Sequence, residues 1–201
     1  MTSEIYKKIG TNSIYNLIRR LVAFPIGLVL PPITIKYIGV EGYGVWVLVQ
    51  TIITYTSMMD MGLSPAITKY TAEYEAHGDH FKTVQLFNTL FVIYVSLCCI
   101  LFMVVFLCRE LIIDVFIKQS AMPQETISFV LVASAMLFCF NMVISVYSSF
   151  LNGLQRMDVT SKIGSLVTII NCILSLLFLY LGGGIKSLAF AGGISSFLSA
   201  P

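Results

Sequence analysis

Thr83-Val-Gln-Leu-Phe-Asn-Thr-Leu-Phe-Val-Ile-Tyr-Val-Ser-Leu-Cys-Cys-Ile-Leu-Phe-Met-Val-Val-Phe-Leu-Cys108 lies between Lys82 and Arg109 and holds no charged side chain. As an α-helix it rises roughly 39 Å at 1.5 Å per residue, more than the roughly 30 Å hydrocarbon core of a bilayer. Neither a buried strand nor the core helix of a soluble domain needs that length. Lipid is the solvent this run is built for.

The same pattern extends in both directions. Further uncharged runs occupy 21–35, 42–59, 126–155, 163–185 and 187–201. Over the chain 57% of residues are hydrophobic and 11% charged, against about 25% charged in an ordinary soluble domain, so the charges cannot cover a water-exposed globule. Spans are expected at roughly 17–36, 43–62, 85–108, 127–151, 163–182 and 187–201. The first reaches full length only with Leu17 and Ile18 included and Arg19 and Arg20 snorkelling to the headgroups. The last stops at Pro201 without a polar flank and is expected to be cut off. The expected fold is an all-α integral membrane protein of about six transmembrane helices.

Orientation follows from the basic residues. Lys7, Lys8, Arg19, Arg20, Lys69, Lys82, Arg156 and Lys162 fall in one set of alternate connections, and Lys36, Arg109, Lys118 and Lys186 in the other. This two-fold bias predicts a cytoplasmic N-terminus. Pro25, Pro31, Pro32 and the lack of an AxA-type site argue for a retained first span rather than a cleaved signal peptide. The net charge of +2, scattered along the chain, excludes a nucleic-acid footprint.

The connections read as tight turns or surface helices. Gly39, Gly42 and Gly44 predict an outer hairpin between the first two spans. Ser64 as N-cap, Pro65 at the first position and Gly78 near the stop predict a short inner helix with Ile67, Tyr70 and Tyr74 on its apolar face. Lys69, Glu73 and Glu75 would turn to water.

Chemistry-bearing motifs are sparse. The sequence has no GxxxxGK[ST], HExxH, GxSxG or dinucleotide fingerprint, so catalysis is not suggested and no cofactor is implied. Cys98, Cys99, Cys108, Cys139 and Cys172 sit in apolar runs as small hydrophobes, without the spacing of a metal site or disulfide framework. His77, Asp79 and His80 beside Glu73 and Glu75 read as a solvated loop rather than a metal cluster. Asn88, Asn141, Asn171 and Gln50 lie in apolar spans; they either line a polar path or bond neighbouring helices. Trp46 and the tyrosines at span ends read as interface anchors or as stacking platforms. Asp60, at the end of the second span, is placed to meet Arg19 or Arg20, since a carboxylate at that depth is costly unless paired.

Tyr37-Ile-Gly-Val-Glu-Gly-Tyr-Gly-Val-Trp46, with Tyr55 and Asp60-Met-Gly-Leu63, resembles the bacterial polysaccharide-biosynthesis flippases, the Wzx-type O-antigen and capsule transporters of the multidrug/oligosaccharidyl-lipid/polysaccharide exporter superfamily. Ala66-Ile-Thr-Lys-Tyr-Thr-Ala-Glu-Tyr74 and Leu151-Asn-Gly-Leu-Gln-Arg156 are similar to that family's inner connections. The resemblance implies one lobe of a two-lobed transporter, with the second lobe missing from these residues. It further implies a cargo of undecaprenyl-pyrophosphate-linked oligosaccharide, carried across the bacterial inner membrane by alternating access. Arg19 and Arg20 would then offer guanidinium donors to the pyrophosphate, and Asp60, Asn88 and Asn141 complete the candidate substrate set. Polysaccharide polymerases or glycosyltransferases are the implied protein partners. The alternatives are a multidrug or organic-cation antiporter of the same superfamily, for which Asp60 would be the coupling acid, and a non-transporting scaffold for polysaccharide enzymes.

Overall fold

The computed structural model describes residues 2–56, 62–117 and 122–199, with backbone alone for 2–16, 18, 19, 22 and 56. The described residues form six helical elements and no strand: α1 (Thr2–Thr56), α2 (Leu63–Ala76), α3 (His80–Phe116), α4 (Gln124–Gly153), α5 (Met157–Tyr180) and α6 (Lys186–Leu198). Four stretches, Ala23–Tyr55, α3, α4 and α5, are long and apolar enough to cross a membrane. On α3, Val92, Met103 and Leu107 are 63%, 64% and 70% exposed. In water such a face would be an aggregation site; in lipid it is solvated. The chain is an all-helical membrane protein.

The turn expected between the first two spans falls inside the first element, α1, as a kink between two helices. Helical backbone runs through 36–44 except at Gly39, whose φ of 75° and ψ of 167° belong to a region open essentially only to glycine. Leu30 before this break and Trp46, Gln50 and Ile53 after it line one cavity. In a straight helix Leu30 and Ile53 would stand roughly 35 Å apart, so the chain turns back at Gly39. Pro31 and Pro32 remove the amide donors that Gly27 and Leu28 would otherwise meet, a loss that helices in a bilayer tolerate.

Helix α4 is the hub. One side packs with α1 and α3 through Val49, Ile53, Leu101, Val105, Val130, Leu131 and Ala135. Nearer its C-terminus Met142 and Val146 join Ile67 of α2 and Tyr94 and Cys98 of α3. Phe87 packs edge-on against Tyr147 and Phe150, at 5.2 Å between centroids in each case.

The approach of α2 to α4 depends on Gly153. A Cβ there would stand 2.6 Å from Thr71 Cβ and 2.9 Å from both Thr68 O and Thr71 Cγ2, so only glycine permits this spacing. Across the contact Thr68 Oγ1 donates to Ser149 O at 3.1 Å. Helix α2 itself departs from expectation at two points. Its N-cap is Gly62, not Ser64; Ser64 lies inside the helix, with its hydroxyl 3.1 Å from Tyr94 OH. Its buried stripe is Ile67 and Thr71, while Tyr70 is 41% exposed and stacks on Tyr74. A threonine fits against a glycine where a tyrosine ring cannot.

Three helix ends share one C-terminal motif, in which the residue in the left-handed region and its successor donate to carbonyls three and five residues back. At α2 these are Gly78 to Glu75 O and Asp79 to Tyr74 O; at α4, Gln155 to Asn152 O and Arg156 to Leu151 O; at α5, Gly182 to Leu179 O and Gly183 to Phe178 O. Gln155, with φ of 57°, takes the position that glycine fills in the other two.

Candidate functional site

A cavity of about 440 Å³ opens where α1, α4, α5 and α6 meet. Its polar lining is Gln50, Ser134, Asn141, Thr168, Asn171, Ser175, Ser195 and Ser196, with Trp46 at one edge. Two neighbouring cavities share its walls. One, about 470 Å³, lies along the second arm of α1 and includes Trp46 and Gln50. The other, about 560 Å³, follows the α4–α5 seam and includes Asn141, Val167 and Thr168. Among the described residues lining the three, none is Asp, Glu, Lys or Arg.

The seam matches the membrane in length. Along α4 it extends from Ser134 to Asn152, a rise of roughly 27 Å, close to the roughly 30 Å of a hydrocarbon core. Local sequence explains why the polar groups face one way. Ser134, Asn141, Ser145, Ser148 and Asn152 follow one another at intervals of seven, four, three and four residues, which keeps them on one face of a helix. Thr160, Gly164, Thr168, Asn171 and Ser175 do the same on α5 at intervals of four, four, three and four.

Hydrogen bonds tie the lining together across helices. Gln50 Nε2 reaches from α1 to Ser134 Oγ at 3.4 Å. Asn141 Nδ2 donates to Leu137 O at 2.8 Å and to Ser196 Oγ on α6 at 2.9 Å. Asn171 Nδ2 on α5 donates to Ser195 Oγ at 2.8 Å. Ser195 in turn donates to Ala191 O at 2.8 Å. Consecutive serines of α6 thus clasp α4 and α5. Bonds of this kind average only about 0.6 kcal/mol in bundles, so they position the helices more than they stabilise them.

The residues singled out from sequence divide sharply. Asn141 sits at the junction of two cavities, and Gln50, Asn171 and Trp46 join it. Asn88 is exposed on α3 and Arg20 is exposed on α1; neither lines these cavities. The side chain of Arg19 and all of Asp60 lie outside the described residues, and with them the Arg–Asp60 pairing. Ser134, Thr168, Ser175, Ser195 and Ser196 were missed from sequence, because a single hydroxyl in an apolar span carries little signal. The helical intervals of the two stripes are the signal that would have found them.

The acidic and histidine cluster after α2 serves the fold. Asp79 caps α3, accepting from Lys82 N at 3.3 Å and pairing with Lys82 Nζ at 2.6 Å. That side-chain hydrogen bond holds the Asp79 carboxyl below its ordinary range. His80 Nδ1 stands 3.3 Å from Glu75 Oε2. Among the described residues no three His, Cys, Asp or Glu side chains gather around a common point.

A comparison with family models matches residues 9–200 to the polysaccharide biosynthesis protein family. No curated protein and no solved structure matches the chain.

Proposed function

Because the chain belongs to the polysaccharide biosynthesis protein family, we propose that it is a flippase rather than an enzyme, and that it moves a polyprenyl-pyrophosphate-linked oligosaccharide across a bacterial inner membrane. The observation that supports this most is the seam: a neutral, hydroxyl- and amide-lined path about as long as the bilayer is thick. A sugar chain crossing the membrane must exchange its water for groups of that kind, while its lipid tail stays in hydrocarbon. Among the described residues the seam is lined by no carboxylate, which speaks against an organic-cation antiporter using them, since binding a cation in the membrane favours an acidic partner.

In this reading the arm break at Gly39 makes two spans of α1, giving about six spans in one lobe that rocks against a second. The N-terminus is cytoplasmic. Arg20 meets the pyrophosphate at the membrane surface, Arg19 and Asp60 stand beside it, and Asn141 contacts the glycan. Asn88, on the outer face of α3, has no assigned contact with cargo. The test is reconstitution of the native gene product in vesicles with a fluorescent polyprenyl-pyrophosphate-linked sugar, scored by protection of the headgroup from a membrane-impermeant quencher. Transbilayer movement above that of empty vesicles, lowered by Asn141→Ala and Arg20→Ala, is the expected result. Movement no faster than in empty vesicles would overturn the assignment.

A further inference from the structure

We propose that two copies of this chain pair through the outer face of α3, with Asn88 at the inner end of the contact and Arg109 and Glu110 at the outer end. That face carries a regular row. Asn88, Val92, Val95, Cys99, Met103 and Phe106 are all exposed and follow at intervals of four, three, four, four and three residues. At roughly 100° per residue this holds them within a sector of about 80° on the helix. Two adjacent cysteines mark where the bundle ends: Cys98 is buried with its thiol donating to Cys139 O at 3.4 Å, while Cys99 is exposed.

One member of the row is ill suited to lipid. Asn88 lies roughly 11 Å along the helix from the midpoint of the uncharged run 83–108, inside the roughly 15 Å half-thickness of a hydrocarbon core. Its neighbours Thr89 and Ser96 satisfy their hydroxyls on Gln85 O and Val92 O of the same helix. The Asn88 amide has no hydrogen-bond partner among the described residues, and hydrocarbon offers none. A second copy does. Because every copy crosses the membrane in the same sense, a two-fold axis along the membrane normal sets α3 parallel to its mate and each residue level with itself. A group on that axis must complement its own kind, and an amide does so, being donor and acceptor at once.

The outer end is self-complementary in charge. Glu110 continues the row four residues beyond Phe106, and Arg109 lies on its opposite flank, with the guanidinium 4.9 Å from the centroid of the Phe106 ring. Within one chain the two make only a long contact, at 3.9 Å. The two-fold axis brings Glu110 of each copy beside Arg109 of the other. No residue of α3 lines any of the three cavities, so the pairing leaves their walls as they are.

Cys99 supplies the test. The native gene product, with Cys99 as its one retained cysteine, is treated in its own membranes with copper(II) phenanthroline and dioxygen, which remove two electrons and two protons from a pair of facing thiols. A disulfide-linked species of twice the monomer mass is expected, and is not expected when Cys172 on α5 is the cysteine retained. Asn88→Leu should lower the association constant about threefold or more, the loss of an interhelical hydrogen bond in a membrane. Arg109→Glu and Glu110→Arg should each weaken pairing and together restore it, a recovery that misfolding would not produce. If the cysteine-depleted chain does not fold, counting fluorophore bleaching steps on the otherwise unaltered protein in dilute vesicles decides instead, with two steps expected. Single steps throughout, linkage through Cys172 as efficient as through Cys99, or linkage of Cys99 to a different protein would each overturn the pairing. A constant unmoved by Asn88→Leu would overturn the role of the amide.

Discussion

Replacing Gly153 by alanine tests the packing that holds α2 on the hub. The new Cβ would lie 2.6 Å from Thr71 Cβ, and carbon atoms of neighbouring side chains are comfortable only from about 3.5 Å. Restoring that spacing means moving α2 from α4 by roughly 0.9 Å along the contact. The shift also stretches the 3.1 Å bond from Thr68 Oγ1 to Ser149 O. Overpacking of this kind costs about 1–3 kcal/mol, and the strained interhelical bond adds about 0.6 kcal/mol. Equilibrium unfolding in mixed micelles measures the loss directly, with Gly44→Ala as control, since a Cβ at Gly44 meets nothing within 4 Å and glycine in a helix is itself unfavourable by about 0.5–1 kcal/mol relative to alanine. The double variant Gly153→Ala with Thr71→Gly removes two of the three close atoms and should recover part of the loss. If Gly153→Ala proves as stable as the unaltered chain, the close approach of α2 to α4 is wrong.

Other consequences are open to simple measurement. Thr71 Oγ1 is fully buried and has no hydrogen-bond partner among the described residues, so Thr71→Val should be neutral or stabilise by up to about 1 kcal/mol in the same assay. Gln155→Gly should stabilise by about 1 kcal/mol, because it relieves a side chain held in the left-handed region. Ser196→Ala removes the acceptor of Asn141 Nδ2 and should cost about 0.6–1.7 kcal/mol, with increased hydrogen exchange in α6. The Asp79 carboxyl is held below its ordinary value by Lys82, so its contribution is complete above that ordinary value and is lost as pH falls through the lowered one. Amide exchange at Lys82 should accordingly rise on the acid side, and Asp79→Asn should abolish that dependence.

The membrane character of the chain was plain from its uncharged runs, because the length of a span is set by the bilayer and leaves a long trace in sequence. Family likeness was legible too, in motifs whose structural sense is now visible: Ala66–Tyr74 and Leu151–Arg156 are the two sides of the contact between α2 and α4, and Gly153 is the residue that lets them meet. The facing of the helices was harder to read. In an apolar span, lipid and protein interior ask for the same side chains, so only the spacing of weak polar residues separates one face from another. Asn141 stood out because an amide is rare there. Serines and threonines bond to their own helix, as Ser165 does with Ser161 O and Thr168 with Gly164 O, and so pass unremarked unless their intervals are counted. The errors on α2 have the same origin: Ser64 looked like a cap and Tyr70 like a core residue until the close partner helix required Thr71 instead.

The claim on which the account turns is that polar groups on α4 line a path open to water through the depth of the bilayer. Replacing the five native cysteines, then introducing single cysteines at Ser134, Asn141 and Asn152 on the seam and at Met103 and Leu107 on the lipid face, allows labelling by a membrane-impermeant thiol reagent in sealed vesicles of each orientation. Labelling at the three seam positions, with Met103 and Leu107 left unmodified, is the predicted result. Seam positions as inert as the lipid-facing pair would contradict the account.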